Sequence, residues 1–154
     1  MANLEPYVLF ELAGTSYAIA SSVVQRMEMV EAVTPVPNAA EFVEGVVFSR
    51  GKVVPAVNLR RRFGFVRAER DLKTRLIVVD HNGGAVGLIV DSAREFVAIP
   101  SEAIQPPPAA LAGMSGGYLT GIASIDGKVI LILDVAEVLN YSASLISAPG
   151  ESGP

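Results

Sequence analysis

The chain has 154 residues and a formal charge of −4, is half hydrophobic, and contains no cysteine. Its length suits one compact domain or two small subdomains sharing a core, while the missing cysteines exclude disulfides, thiolate metal sites and thiol nucleophiles. The acidic balance argues against broad contact with a phosphate backbone, and with no apolar run near the roughly 18–20 residues of a bilayer span and no basic-then-apolar leader, the chain reads as soluble and cytoplasmic.

Residues 1–6 read as a loose lead. A strand follows over 7–12, with a turn at Ala13-Gly14-Thr15-Ser16 and a return over 17–20. A bend at Ser21-Ser22 leads into a strand over 23–30. The prolines of Thr34-Pro35-Val36-Pro37 make a rigid extended connection, and Asn38 is placed to cap a short helix over 39–44. The stretch 45–64, GVVFSRGKVVPAVNLRRRFG, then reads as strand, tight turn at Arg50-Gly51, strand, and capped helical turn. Glycine there supplies the positive φ of a two-residue hairpin. Pro55 suggests an edge strand or a bulge. Asn58 caps a turn that begins at Leu59 and ends at Gly64. The triplet Arg60-Arg61-Arg62 reads as the solvated face of that helix rather than as a phosphate patch.

Residues 66–73, VRAERDLK, are charged and form an exposed link. Beyond them come a strand from Thr74, a turn at Asn82-Gly83-Gly84, a return over 85–92 and a further strand over 95–99. Residues 100–114 hold Pro106-Pro107-Pro108 and read as an extended wrap without regular structure. The stretch 121–139, GIASIDGKVILILDVAEVL, repeats the first organising hairpin: Gly45 meets Gly121, Gly51-Lys52-Val53 meets Gly127-Lys128-Val129, and Asn58 meets Asp134. Residues 7–30 likewise resemble 75–99, so the chain reads as two homologous β-rich halves. Residues 142–154 are small, polar and rich in Pro and Gly, and are expected to be a disordered tail. Short strands at this spacing point to closed barrels. The expected fold is all-β: two five-stranded barrels with a few short helices, halves 7–65 and 74–141, and a linker over 66–73.

A search for chemistry finds none. His81, the single histidine, sits beside Asp80 in a turn and has no oriented partner in the sequence. No metal-ligand spacing, nucleophile elbow or phosphate-cradling loop is present. Asp91 and Asp134 read as caps or ion-pair partners. The chain is expected to be non-enzymatic, to need no cofactor and to act by binding protein. The halves diverge at matching places, where Arg50 stands opposite Asp126 and Val24-Gln25-Arg26-Met27 opposite Ala93-Arg94-Glu95-Phe96. A small nucleic-acid-binding barrel is the competing class, and the acidic pI of about 5.0 weighs against it.

The ordered series Val24-Gln25-Arg26-Met27, Pro37-Asn38, Gly45-Val46, Arg50-Gly51-Lys52-Val53-Val54-Pro55, Asn58-Leu59-Arg60 and Phe63-Gly64 resembles the CheW-like domain. So does its continuation through Val86–Asp91, Ile104-Gln105-Pro106, Tyr118–Gly121 and Leu131–Asp134. The resemblance covers about residues 7–141 and implies two SH3-like barrels. It also implies an adaptor of a bacterial chemosensory array that couples the cytoplasmic tip of a methyl-accepting chemotaxis receptor to the regulatory domain of a CheA-type histidine kinase. Such a protein is monomeric when isolated, reaches the membrane only through receptors and binds no nucleic acid. By matched motif, Val24, Arg26, Met27, Arg50, Val86 and Leu88 would face the receptor, whose helical hairpin docks between the barrels. Arg50, Gly51, Lys52 and Asn58 would serve the kinase side. Three positions depart from the family's pattern: Arg26 stands where an acid is usual, Phe48-Ser49 where Asn-Leu is common, and Asn58 where aspartate is common. The first reverses a charge beside the expected receptor groove. With Phe48-Ser49 it motivates an alternative, a divergent module of the same fold that binds only one partner, receptor or kinase, in a motility or other non-chemotaxis pathway.

Overall fold

The computed structural model describes residues 4–112 and 117–140. Within them the order is β1 (Leu4–Leu12), β2 (Thr15–Ala20), a 3-10 turn (Ser21–Val23), β3 (Val24–Met29), β4 (Val43–Ser49), β5 (Lys52–Asn58) and α1 (Leu59–Arg62). After the charged link come β6 (Arg75–His81), β7 (Gly84–Val90), β8 (Ser92–Pro100), a second 3-10 turn (Ser101–Ala103), β9 (Ile104–Gln105) and α2 (Ala109–Ala112). β10 (Leu119–Ile125), β11 (Lys128–Leu133) and α3 (Val135–Val138) complete it. The expected all-β character with short helices is what the molecule has.

Local chemistry explains the hairpins. Each of the four turns, Ala13-Gly14, Arg50-Gly51, Asn82-Gly83 and Asp126-Gly127, puts both residues at positive φ, the pattern whose twist matches that of the flanking strands. Asn58 caps α1 by accepting the N–H of Arg61, and Asp134 caps α3 by accepting those of Ala136 and Glu137.

Four sequence readings need correction. Of the expected loose lead, residues 4–6 are strand, because Leu4, Glu5 and Pro6 pair with Pro100, Ile99 and Ala98 of β8, and residues 1–3 lie outside the described residues. No helix spans 39–44: Asn38 lies at φ 62, outside the extended backbone an N-cap needs, and Val43 already pairs with Val57 as β4. The proline-rich segment after residue 100 is partly regular, since Ile104 and Gln105 pair with β10 and α2 follows. Of the two readings of Pro55, the edge strand fails and the bulge holds: Pro55 precedes Ala56, where β5 gains its second neighbour, and the β4 bulge at Val43/Gly45 lies opposite Val57 and Ala56. The expected tail over 142–154 lies outside the described residues.

The strands form two mixed sheets, a six-stranded one ordered β8-β1-β2-β11-β10-β9 and a five-stranded one ordered β3-β6-β7-β5-β4. These sheets do not follow the sequence halves. Hairpin β1–β2 joins the second half through the parallel pair β2·β11, and hairpin β6–β7 joins the first through the parallel pair β5·β7. Each half lends its leading hairpin to the other. Residues 76 positions apart otherwise repeat the same bonds: Asn58 N–H donates to the Phe42 carbonyl as Asp134 N–H does to that of Tyr118, and Phe63 to Leu59 as Leu139 to Val135. Both bulges, at Val43/Gly45 and at Leu119/Gly121, obey the same offset.

Strand alternation then builds three cores. Val8, Phe10, Leu12, Ile77, Val79, Leu88 and Val90 point between the sheets, where Leu59, Val135, Val138 and Leu139 of the helical turns join them. The alternate residues of the same strands face away: Tyr7 and Leu9 into a core of the six-stranded sheet, Leu76, Val78 and Ile89 into one of the five-stranded sheet. Apolar residues on both faces explain why runs such as Leu76–Val79 are continuous rather than alternating.

Candidate functional site

Adjacent residues of a strand face opposite ways, and β3 uses this to separate the expected site residues. A bulge between Val24 and Arg26 sets Val24 opposite Val79, Arg26 opposite Val78, and Met27 opposite Ile77. Val24, Met27 and Val86 are therefore partly buried against the core shared by the two sheets. Leu88 lies deeper in that core with 1% exposure, so it can act only through packing. Arg26 turns to the other side, the inner face of the five-stranded sheet, together with Glu28, which stands opposite Leu76.

There Arg26 meets β4, the strand at the far edge of the same sheet. Its Nε lies 2.6 Å from Glu28 Oε2, its Nη2 donates to Ser49 Oγ at 2.6 Å, and the Ser49 hydroxyl donates to Glu28 Oε2 at 2.6 Å. Edge strands β3 and β4 thus come within hydrogen-bonding reach, and the sheet curls. Arg26 Nη1 also donates to Gln25 Oε1 at 3.1 Å, and Gln25 Nε2 donates to Asp80 Oδ1 at 2.6 Å. Burial works against the charge on Glu28, but hydrogen bonds from Ser49 and Arg26 and the charges of Arg26 and Arg50 outweigh it and lower its pKa. The reversed charge at position 26 is thus answered inside the molecule by Glu28, a partner that the family resemblance alone did not single out. Its signal was a strand with two opposite charges two residues apart, hence on one face.

Beyond Ser49 the β4–β5 hairpin projects. Phe48 and Val53 pair across it and are 75% and 63% exposed. Arg50, Gly51 and Lys52 form its exposed tip, and among the described residues neither Arg50 nor Lys52 has an ion pair or a side-chain hydrogen bond. Arg50 overlooks two hollows, one of about 230 Å³ beside Glu28, Met29 and Phe48, the other of about 510 Å³ beside Gln25, Arg26, Lys52 and Asp80. Asn58 is not at this tip. It is 8% exposed, caps α1 and donates Nδ2 to Glu44 Oε2 at 2.7 Å, a structural duty at the other end of β5.

The repeat supplies an internal comparison. The β10–β11 tip carries Asp126 where this one carries Arg50, Ser124 where it carries Phe48, and Ile125 where it carries Ser49. A hollow of about 470 Å³ lies beside it, lined by Glu11, Arg94, Asp126 and Lys128 among others. One tip is cationic and apolar; its sister has an acid and a hydroxyl in the corresponding places.

The arginine triplet after Asn58 is not simply a solvated face. Arg60 grips Asp91, Arg61 pairs with Glu41, and Arg62 lies 5.1 Å from the Phe42 ring and 5.0 Å from that of Tyr118 while donating Nε to the Val138 carbonyl. His81 ends β6, with Nε2 3.2 Å from Asn82 Nδ2. No helix among the described residues is long and apolar enough to cross a membrane.

Comparison with known proteins agrees with this architecture. A sequence model of the CheW-like domain matches residues 6–143. The chain is 27% identical to the chemotaxis protein CheW of Klebsiella aerogenes over 88% of its own length and 82% of that protein's. It is 30% identical to the chemotaxis protein CheW of Helicobacter pylori over 86% and 80%, respectively. Among solved structures, the scaffolding protein TtCheW from Thermoanaerobacter tengcongensis superposes with a TM-score of 0.79 at 30% identity, covering 88% of this chain and 92% of that one.

Proposed function

Since the chain belongs to the CheW-like domain family, we propose that it is a non-enzymatic scaffold that couples a chemoreceptor's cytoplasmic tip to the regulatory domain of a CheA-type histidine kinase. The reading is carried by the asymmetry of the two repeated hairpin tips. A side chain kept only for turn geometry has no reason to be arginine: the sister turns fill the same left-handed position with Ala13, Asn82 and Asp126, all short side chains, and Asn and Asp tolerate it best. Arg50 accepts that backbone cost beside the exposed pair Phe48–Val53, the combination of aromatic anchor and cation common in protein interfaces. In this reading the tip meets the kinase. The stripe of Val24, Met27 and Val86 along the seam between the sheets meets the receptor's helical hairpin, an apolar helix face laid in a groove. The protein works in the cytoplasm and reaches the membrane through the receptor.

The test is co-sedimentation of the full chain with a CheA-type kinase and a receptor tip fragment, alongside Arg50→Ala, Arg50→Asn and Arg26→Glu. Arg50→Asn keeps the turn, so its loss of kinase coupling, expected to be about tenfold, comes from the missing cation rather than from misfolding. Arg26→Glu places an acid beside Glu28 and is expected to weaken the same contact. Assembly with one partner only, untouched by Arg50→Asn, would leave the one-sided module in place of the bridge.

A further inference from the structure

The closed ring of bonds among Arg26, Ser49 and Glu28 has no counterpart among the described residues of the sister tip, where Ile125 holds the place of Ser49 and packs into an apolar core. We propose that Glu28, acting through Ser49 and Arg26, is the positioning residue that fixes the direction in which the β4–β5 hairpin presents Arg50 to the kinase. The proposal rests on the tip reading above.

Three features carry it. The ring joins the two edges of the five-stranded sheet at its mouth, and Ser49, 3% exposed, is the residue immediately before Arg50. On the hairpin itself, the last pair below the tip is Ser49 with Lys52. The ring also lies between the two hollows that Arg50 overlooks. A swing of the hairpin into either one stretches a bond to Ser49. Finally, Arg26 is held on three sides, by Glu28, Ser49 and Gln25, with its side chain 17% exposed. It is engaged within the molecule and works by holding rather than by touching a partner. Glu28 is the common acceptor of the ring: without its charge both Arg26 Nε and the Ser49 hydroxyl lose their strongest partner.

The experiment measures affinity of the full chain for a full-length CheA-type kinase in four forms: wild type, Glu28→Gln, Arg50→Asn and the double variant. Binding of a receptor tip fragment and thermal midpoints are recorded on the same samples. Glu28→Gln keeps shape and removes charge. It is expected to lower kinase affinity about threefold to tenfold while receptor binding stays unchanged, and the double variant is expected to bind no more weakly than Arg50→Asn alone, because nothing is left to position. Ser49→Ala, which opens the same ring, is expected to reproduce Glu28→Gln and carries the test if that variant fails to fold. Unchanged affinity in Glu28→Gln, or losses that simply add in the double variant, would overturn the positioning role and leave the tip reading standing. Unchanged affinity in Arg50→Asn would overturn both.

Discussion

Asp91 ties three parts of the fold together with one carboxylate. Its oxygens accept Arg60 Nε at 2.8 Å and Nη2 at 2.6 Å, and Oδ2 also accepts the backbone N–H of Ala13 at 2.9 Å. Helical turn α1, the β7–β8 junction and the tip of the β1–β2 hairpin all meet there, so the pair spans both sheets. Burial works against the charge on Asp91, but the hydrogen bonds from Arg60 and Ala13 and the guanidinium charge prevail and hold its pKa below the ordinary 3.8. A carboxylate whose pKa is lowered by folding adds stability that is fully present above the unfolded value and is lost as pH falls through the folded one. Asp91→Asn is therefore expected to cost about 2 kcal/mol at neutral pH, tempered by partial exposure of the pair. Urea unfolding as a function of pH checks it: the gap between wild type and variant should stay constant above the ordinary value and close below it. A gap that persists unchanged in strong acid would rule out the ion pair as its source. Sequence suggested Asp91 only as a cap or ion-pair partner and Arg60 only as surface, because the two residues are 31 positions apart and nothing local connects them.

At the scale of elements, the two bulge glycines test how far the repeat is a repeat. Gly45 sits at φ +145, and a Cβ there would lie 2.0 Å from the carbonyl oxygen of Thr34, backbone that is itself bonded to Val46. Gly121 has no such φ, and its Cβ would meet Ile104 Cγ2 at 2.6 Å, a side-chain methyl on the two-residue strand β9 rather than backbone of its own bridge. Gly45→Ala is expected to destabilise by about 3 kcal/mol or more and Gly121→Ala by about 1 kcal/mol, as chemical denaturation would measure. Equal costs would mean that the Thr34 bridge yields as easily as a side chain does. The hairpins, both caps and the matched glycines were legible in the sequence because turn and cap chemistry acts within a few residues. The helix expected over 39–44 was not there, because Asn38 takes a left-handed backbone and strand pairing claims Val43 and Glu44. Strand β9 was hidden because its two residues are ordered by β10 rather than by their own pattern. For the site, Arg50 was legible from its turn. Arg26 and Met27, expected on one surface, take opposite faces of β3, as neighbours on a strand do.

For the molecule as a whole, the exchange of leading hairpins decides what can fold. The parallel pair β2·β11 joins Tyr17 to Leu131, and β5·β7 joins Val57 to Leu88; neither leaves a local signal, which is why two self-contained halves were the natural sequence reading. Without β6–β7, the first half would leave Val57 and Val54 uncovered on the side where β7 belongs, and β3 would lose the strand it pairs with. The second half without β1–β2 leaves β8 with no partner strand and β11 with β10 alone. Unpaired backbone in a strand and a core missing one wall each cost several kcal/mol, comparable to the whole stability of a small domain. Residues 1–70 and 71–154 made as separate chains are therefore expected to lack a cooperative unfolding transition, and their mixture to regain one. In the intact chain, probes in the two sheets should report coincident transitions. A cooperative transition in either fragment alone would show that a half can close its own sheet. The exchange also bears on coupling: the seam stripe of Val24, Met27 and Val86 packs on the shared core, and β3 carries Val24 and Met27 of that stripe as well as the Arg26–Glu28 support of the Arg50 tip. One strand thus contributes to both surfaces proposed to meet receptor and kinase, its two faces serving one each.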